Sequence, residues 1–309
     1  MKKVAIIIGS EGQDGRLLKV KLESLNYNIK GIKKGDLDLL SSIEVSELVK
    51  NILPDEIYYL AAYHHSSQDI VENSAELFKK SIEINSVSVI NFLDAIFNYH
   101  KKCRFFYASS CLIFKGSKNA LLTESSQCLP DSHYAISKMT GSSFVRFYRE
   151  YKKIFACSGI LFNHESPLRS ENYLSKKITS YIAKLDDNTS EKLSLGGLNI
   201  AVDWGYAPDY VDAIWRVMQT EYPDDFIIST GVKKTIKDFV KTAFEHVNLD
   251  YRDYIFIDSN VLNRKNNIRI GSPQKLIKTT GWSPSINFEE MVRKLVDNEL
   301  DKFKTYKEK

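Results

Sequence analysis

Apolar residues along the chain fall into short unbroken runs separated by longer stretches of helical periodicity. The runs at residues 3–8, 28–32, 56–60, 104–108, 156–162 and 226–230 are rich in Ile, Val, Phe and Tyr. Continuous apolar runs of this length predict strands buried on both faces rather than strands with one wet face. Between them, residues 16 onward, 43–51, 75–99, 134–151 and 174–184 carry amphipathic helical patterns, as do a segment ending at Gln219, residues 236–246 and a closing segment from about 288. Strands alternating with helices predict an α/β fold with a mostly parallel, doubly wound sheet. After about residue 165 the alternation becomes irregular. The expected division is therefore residues 1–165 as a dinucleotide-binding domain and 166–309 mainly as a smaller C-terminal substrate-binding lobe, with some segments returning to the sheet. Leu195-Gly196-Gly197-Leu198 predicts a turn within a small strand pair.

The first apolar run leads directly into Gly9-Ser10-Glu11-Gly12-Gln13-Asp14-Gly15, and Arg16-Leu17-Leu18 then opens a helix. Strand, glycine turn and helix are the context a dinucleotide pyrophosphate needs: the backbone comes close, and a helix N-terminus offers N–H groups and a positive dipole end. Gly9, Gly12, Gln13, Asp14 and Gly15 are the candidates there. The second run ends in Lys33-Lys34, followed by Asp36 and Leu37. Two cations at this position favour the 2′-phosphate of NADP(H), with NAD(H) as the alternative. The third run passes into Leu60-Ala61-Ala62, whose small residues let a cofactor lie close. His65, beyond it, is a candidate contact, and Asn85 in the next helix is expected either to bridge backbone groups near the site or to be exposed.

Ser109-Ser110-Cys111-Leu112 follows the fourth run, and Tyr134-Ala135-Ile136-Ser137-Lys138 opens the next helix. Side chains four apart on a helix share a face, so Tyr134 and Lys138 point into one site. A neighbouring ammonium is expected to lower the Tyr134 pKa and make it an acid or base near neutral pH. Ser110 adds a hydroxyl on the same substrate oxygen. Such a set moves hydride to or from a carbinol carbon while the tyrosine handles the proton.

Composition narrows the function classes. In 309 residues the net charge is +4, with acids and bases interleaved, which argues against a nucleic-acid binder. The four cysteines show no metal-ligand spacing, the first apolar run is too short for a signal peptide, and no apolar stretch is long enough to span a bilayer. A cytoplasmic chain with reduced thiols and no membrane partner is expected.

Taken together, these residues resemble the extended short-chain dehydrogenase/reductase family, and within it the GDP-mannose 4,6-dehydratase branch. The matching pieces are Gly9 to Gly15 with Gln13-Asp14, Glu56-Ile57-Tyr58, Tyr134 to Lys138 and, most specifically, Ile160-Leu161-Phe162-Asn163-His164-Glu165-Ser166-Pro167. Asp203-Trp204-Gly205, Asp209-Tyr210-Val211 and Gly281-Trp282 also fit. The resemblance implies a Rossmann-type sheet, a nicotinamide cofactor in the N-terminal domain and a nucleotide-diphosphate sugar, GDP-linked by analogy, in the C-terminal lobe. It implies Tyr134 as the acid or base, Lys138 on the nicotinamide ribose, and Ser110 in place of the family's Thr or Ser. The sugar nucleotide is expected against Ser110, Cys111, Leu112, Asn163 and Leu195.

Three departures bear on the reaction. Where the dehydratases carry a Glu that moves the C5 proton and helps expel the C6 hydroxyl, this chain has Leu112, which carries no proton. Where they carry an Arg before Asp-Trp-Gly that holds the diphosphate, it has Val202, so Lys177 or Arg264 is expected to take that role. The segment after the second strand, which in the dehydratases helps build a tetramer, is short, so a homodimer is expected. Ser, Tyr and Lys without the Glu leave hydride transfer, and the reading is an NADP-dependent reductase of the C4 ketone of a GDP-4-keto-6-deoxy sugar. The alternatives are a 4,6-dehydratase-like lyase, a nucleotide-sugar 4-dehydrogenase or epimerase, and a non-catalytic binding protein that keeps the fold.

Overall fold

The computed structural model describes residues 2–64, 73–117, 121–186, 191–258 and 268–307. Its first half is β1 (Val4–Ile8), α1 (Gln13–Ser24), β2 (Asn28–Ile32), α2 (Ser42–Ile52), β3 (Glu56–Tyr59), α3 (Ser74–Ile82), α4 (Ser88–Tyr99), β4 (Arg104–Ser110), α5 (His133–Tyr151) and β5 (Ala156–Leu161). The second half continues with β6 (Asn163–Glu165), α6 (Leu174–Lys184), β7 (Leu193–Leu195), β8 (Ala201–Val202), β9 (Trp204–Tyr206), α7 (Ala207–Val217), β10 (Asp225–Ile228) and β11 (Lys234–Thr235). It closes with α8 (Ile236–His246), α9 (Tyr251–Tyr254), β12 (Ile255–Ile257), α10 (Gln274–Thr280) and α11 (Phe288–Lys307).

Six strands form one sheet in the order β10-β5-β4-β3-β1-β2, and every pairing in it is parallel. Period-two alternation sends successive side chains of β1 to opposite faces. Ala5 and Ile7 pack with α1, α7 and α10; Ile6 and Ile8 pack with α2, α4 and α5. Both faces are covered, which is why the strands read as unbroken apolar runs. β2 is the exception: it lies at the sheet edge, and only Ile32 is fully buried.

The lobe has its own core, in which Ile178, Ile182, Trp204, Phe239 and Phe244 meet Met291, Val292 and Leu295 of α11. Leu195 belongs to that core. Its strand β7 pairs in parallel with the distant β12 rather than forming the local turn pair expected from its glycines. Asp203 fastens the lobe to the sheet. Its carboxylate accepts Thr230 N–H and Oγ–H at 3.0 and 2.6 Å and the N–H groups of Gly231 and Gly271, each at 3.1 Å. Burial raises the Asp203 pKa despite these donors.

Candidate active site

Parallel strands deliver their C-terminal ends to one edge, where ligands of open α/β sheets bind. β4 delivers Ser109 and Ser110 there, both buried. α5 starts beside them because Ser132 caps it, its Oγ accepting the Ala135 N–H at 3.2 Å. Tyr134 thus sits in the first turn and Lys138 one turn further. Ser109 is held by a hydrogen bond from Ser142 Oγ at 2.7 Å, while Ser110 Oγ accepts the Leu112 N–H at 3.3 Å and stands beside the Tyr134 hydroxyl. Lys138 is buried, donates to Ala108 O at 2.7 Å and lies 5.8 Å from the Tyr134 ring centre.

The expected lowering of the Tyr134 pKa is not found. Loss of water pushes the Tyr134 pKa up, and Ser110 only partly opposes this. The same burial lowers Lys138 to about 7, so its ammonium is only partly retained at neutral pH. Desolvation penalises phenolate and ammonium alike, and it is the leading influence on both groups. Tyr134 is therefore poised as a proton donor. Cys111, next in line, is buried and pushed up to about 12, so it does not titrate near neutrality.

Asn85 supports this group from a single π-helical turn, Glu83–Val87, between α3 and α4; such turns often mark functional positions. Its side chain accepts the Tyr63 N–H at 2.9 Å and donates to Tyr63 O at 3.1 Å and Ser137 Oγ at 2.9 Å. Of the two expectations for this residue, bridging holds and exposure does not. Its carbonyl accepts the Tyr107 hydroxyl at 2.7 Å. Gly141 makes the approach feasible, since a Cβ there would lie 2.4 Å from both Asn85 O and the Tyr107 hydroxyl oxygen.

The glycine turn is built as expected: Gly9 has φ of +89°, and a Cβ there would lie 2.8 Å from Ala61 N. α1 begins at Gly12 with no side chain capping its first N–H groups, which suits a pyrophosphate. Lys138, with three donors and one described partner, suits a ribose diol. The residues present therefore fit a nicotinamide dinucleotide. Lys33 and Lys34 are exposed at the end of β2, and Asp36 accepts the Lys33 N–H at 3.1 Å. Leu37, Leu60 and Ala61 are half-buried against the sheet cores, and Ala62 is exposed.

Gln13 and Asp14, expected to hold cofactor, face the segment after β5. His164 Nε2 meets the two Asp14 carboxylate oxygens at 3.1 and 3.0 Å, and its Nδ1 meets Phe162 O at 2.6 Å. Two acceptors on two ring nitrogens call for an imidazolium. Burial alone would lower His164 and raise Asp14, but their charges and hydrogen bond outweigh it, leaving His164 raised and Asp14 lowered. Gln13 donates to His164 O at 3.2 Å and accepts Ser166 Oγ–H at 2.8 Å. Glu165 is buried between Ser175 Oγ at 2.6 Å and Arg169 at 3.3 Å. Behind the segment, Lys176 meets Glu299 of α11 at 2.5 Å, and Lys302 reaches both Glu299 at 3.0 Å and Pro167 O at 3.3 Å.

Of the substrate candidates, Ser110, Cys111 and Leu112 lie together at the sheet edge, and Leu112 packs half-buried on the core beneath it. Asn163 is exposed at the start of β6, Lys177 is half-buried on α6, and Leu195 has its side chain in the lobe core. Arg264 and His65 lie outside the described residues. Sequence reasoning missed His64, whose ring stands edge-on to Tyr134 at 4.7 Å, and Tyr173, stacked on His64 at 6.3 Å. It also missed Arg169, whose guanidinium lies 3.6 Å over Tyr173. Their common signal was position, since each lies within twelve residues of the C-terminal end of a sheet strand. Among the described residues no group of His, Cys, Asp and Glu could hold a metal ion, and no helix is long and apolar enough to cross a membrane.

The family model described as GDP-mannose 4,6 dehydratase matches residues 35–295. "GDP-mannose 4,6 dehydratase 2" of Caenorhabditis elegans is 32% identical, over 97% of this chain and 89% of its own. Among solved structures, RMD from Pseudomonas aeruginosa complexed with NADPH superposes with a TM-score of 0.83 at 19% identity, covering 98% of this chain and 99% of that one. The dTDP-glucose 4,6-dehydratase of Bacillus anthracis in complex with NAD gives 0.81 at 15% identity, covering 99% of each chain.

Proposed function

The chain belongs to the GDP-mannose 4,6-dehydratase family, and from that premise we propose that it is an NADP(H)-dependent oxidoreductase of a nucleotide-activated sugar, reducing the C4 ketone of a GDP-4-keto-6-deoxy sugar. The observation that carries this reading is the residue at position 112: Leu112 stands where the resemblance expects a Glu, and none of the described side chains that chiefly influence Tyr134, namely Tyr173, Cys111, Ser110 and Arg169, is a carboxylate. Elimination of water needs a group that takes the C5 proton and delivers one to the leaving hydroxyl. Leu112 can do neither, and Cys111 does not titrate in the working range.

A nicotinamide, when bound, supplies the hydride. The remaining work falls to this chain. Ser110 hydrogen-bonds the ketone oxygen, Tyr134 gives that oxygen its proton, and Lys138 orients the ribose. The raised Tyr134 pKa suits donation, since a reduced carbonyl oxygen is a far stronger base than a phenolate. Lys33 and Lys34 support a 2′-phosphate on the adenosine ribose, hence NADP(H). The guanine base rests on the family alone, and a homodimer rests on the short segment after β2, where the dehydratases have a tetramer-building loop.

The relatives' names favour a second reading, a 4,6-dehydratase-like lyase, and they support it better than they support a reductase. A paired assay separates the two. GDP-mannose with NADP⁺ goes into one reaction; the GDP-4-keto-6-deoxy sugar with NADPH goes into the other. Loss of NADPH with a two-dalton gain in the second reaction is expected. Loss of one water in the first, with no net NADPH, would establish the lyase instead.

A further inference from the structure

A buried ammonium needs something to offset the water it has lost, and the usual offset is a carboxylate. Lys138 has none. Among the described residues no acidic side chain pairs with it, and burial lowers it to about 7. Its hydrogen bond goes to a neutral carbonyl, Ala108 O, at 2.7 Å. Two aromatic rings complete its surroundings: Lys138 Nζ lies 4.9 Å from the centre of the Tyr107 ring and 5.8 Å from that of Tyr134. Both distances are within reach of the attraction between a cation and the negative face of a ring, which strengthens when water is excluded.

Tyr107 lies on β4, three residues before Ser110, and is fully buried. Its hydroxyl donates to Asn85 O at 2.7 Å, and the Tyr59 ring of β3 packs 6.1 Å away. Gly141, three residues beyond Lys138 on α5, leaves room for it, since a Cβ there would lie 2.4 Å from the Tyr107 hydroxyl oxygen. Burial raises the Tyr107 pKa, so the ring stays a neutral phenol. The charge state of Lys138 matters for counting donors. An ammonium has three N–H groups; with one on Ala108 O, two remain for the two hydroxyls of a ribose. A neutral amine would leave one of those hydroxyls without a donor.

We propose that Tyr107 is a positioning residue whose ring face keeps the Lys138 ammonium charged and aligned for the ribose diol of a dinucleotide. The inference rests on the role given to Lys138 above and deepens it. Tyr107 acts through Lys138 and does not touch the reacting atoms. The titratable groups facing the ammonium are Tyr107 from β4 and Tyr134 from α5. Tyr59 stands behind the first, and His64, Cys111, Tyr173 and Arg169 surround the second.

The test changes the charge distribution of the ring at nearly constant shape. Wild type is compared with Tyr107→Phe and with difluoro- and pentafluorophenylalanine in place of Tyr107, which weaken and then reverse the negative ring face. Lys138 is titrated by NMR in isotope-labelled protein, its resonance assigned with Lys138→Met. The expected Lys138 pKa is close to wild type in Tyr107→Phe, lower with two fluorines, and lowest with five, by about half to one and a half pH units. NADPH affinity, read by fluorescence titration, should fall away at a correspondingly lower pH in the fluorinated proteins. A Lys138 titration that the fluorinated rings leave in place would overturn the proposal. So would Tyr107→Phe lowering it as far as five fluorines do, which would assign the effect to the hydroxyl. Consumption of NADPH by wild type with the GDP-4-keto-6-deoxy sugar is scored separately. Its absence alongside the graded Lys138 titration would remove the reductase reading and leave the role of Tyr107 standing.

Discussion

The end of β4 with α5 and the segment after β5 lie at the same sheet edge, yet they are built in opposite ways. The first is made by a strand end and one capped helix, so that Ser110, Tyr134 and Lys138 meet within 29 residues of chain. The second is held by partners far away along the chain: Asp14 on His164, Gln13 on Ser166, and Glu299 with Lys302 on Lys176 and Pro167. On the function proposed above, the first region supplies chemistry. The second locks α1, the strand end and the last helix together, so that the first has a fixed floor. Damage to the first should cost rate at constant stability, and damage to the second should cost stability first.

The largest effect expected on this division is from Tyr134→Phe. Removing the proton donor should lower kcat by about 10²–10⁴-fold, with melting temperature and NADPH affinity close to wild type. A comparable loss of stability would mean the first region is also structural. Next in size is Glu299→Ala, which strands Lys176 in the interior. A loss of about 3 kcal/mol in chemical denaturation is expected, with activity at low temperature falling less than for Tyr134→Phe.

The Asp14–His164 pair gives a pH signature. The raised His164 pKa means that its contribution to stability is complete below pH 6.5 and fades as pH climbs through its higher folded value. The lowered Asp14 pKa means that its contribution is complete above about 3.8 and fades as pH falls through its lower folded value. Asp14→Asn should therefore destabilise most between about pH 4 and 6.5, and the gap to wild type should narrow in alkali, as read from thermal melts across pH. The smallest effect belongs to the exposed pair at the end of β2. Lys33→Ala with Lys34→Ala should weaken NADPH binding several-fold, as expected of solvated charges, and leave NADH binding unchanged by titration.

What could be read from the chain follows the same division. Buried parallel strands announce themselves as unbroken apolar runs, and the glycine turn and the Tyr134–Lys138 spacing are local signals; the fold, and the meeting of Tyr134 and Lys138 at one sheet edge, were legible for that reason. The long-range partners were not, because nothing near Asp14 indicates a histidine 150 residues away. Asp14 was accordingly read as a cofactor contact when its carboxylate is spent on His164. The direction of the Tyr134 shift was misjudged for a related reason: helical spacing shows that Lys138 is near but not how much water both groups have lost. His64 was passed over, since a strand end fixes the edge a loop leaves from but not that the His64 ring meets Tyr134.

The central claim is hydride transfer at C4 with no proton moved at C5. Its most direct test is to incubate the protein with the GDP-4-keto-6-deoxy sugar and NADPH in D₂O and to read carbon-bound deuterium in the product by NMR. The expected result is one alcohol formed per NADPH consumed, with no deuterium at C5 above an enzyme-free control. Deuterium accumulating at C5 without consumption of NADPH would contradict the account and show a second proton-transferring group beside Leu112.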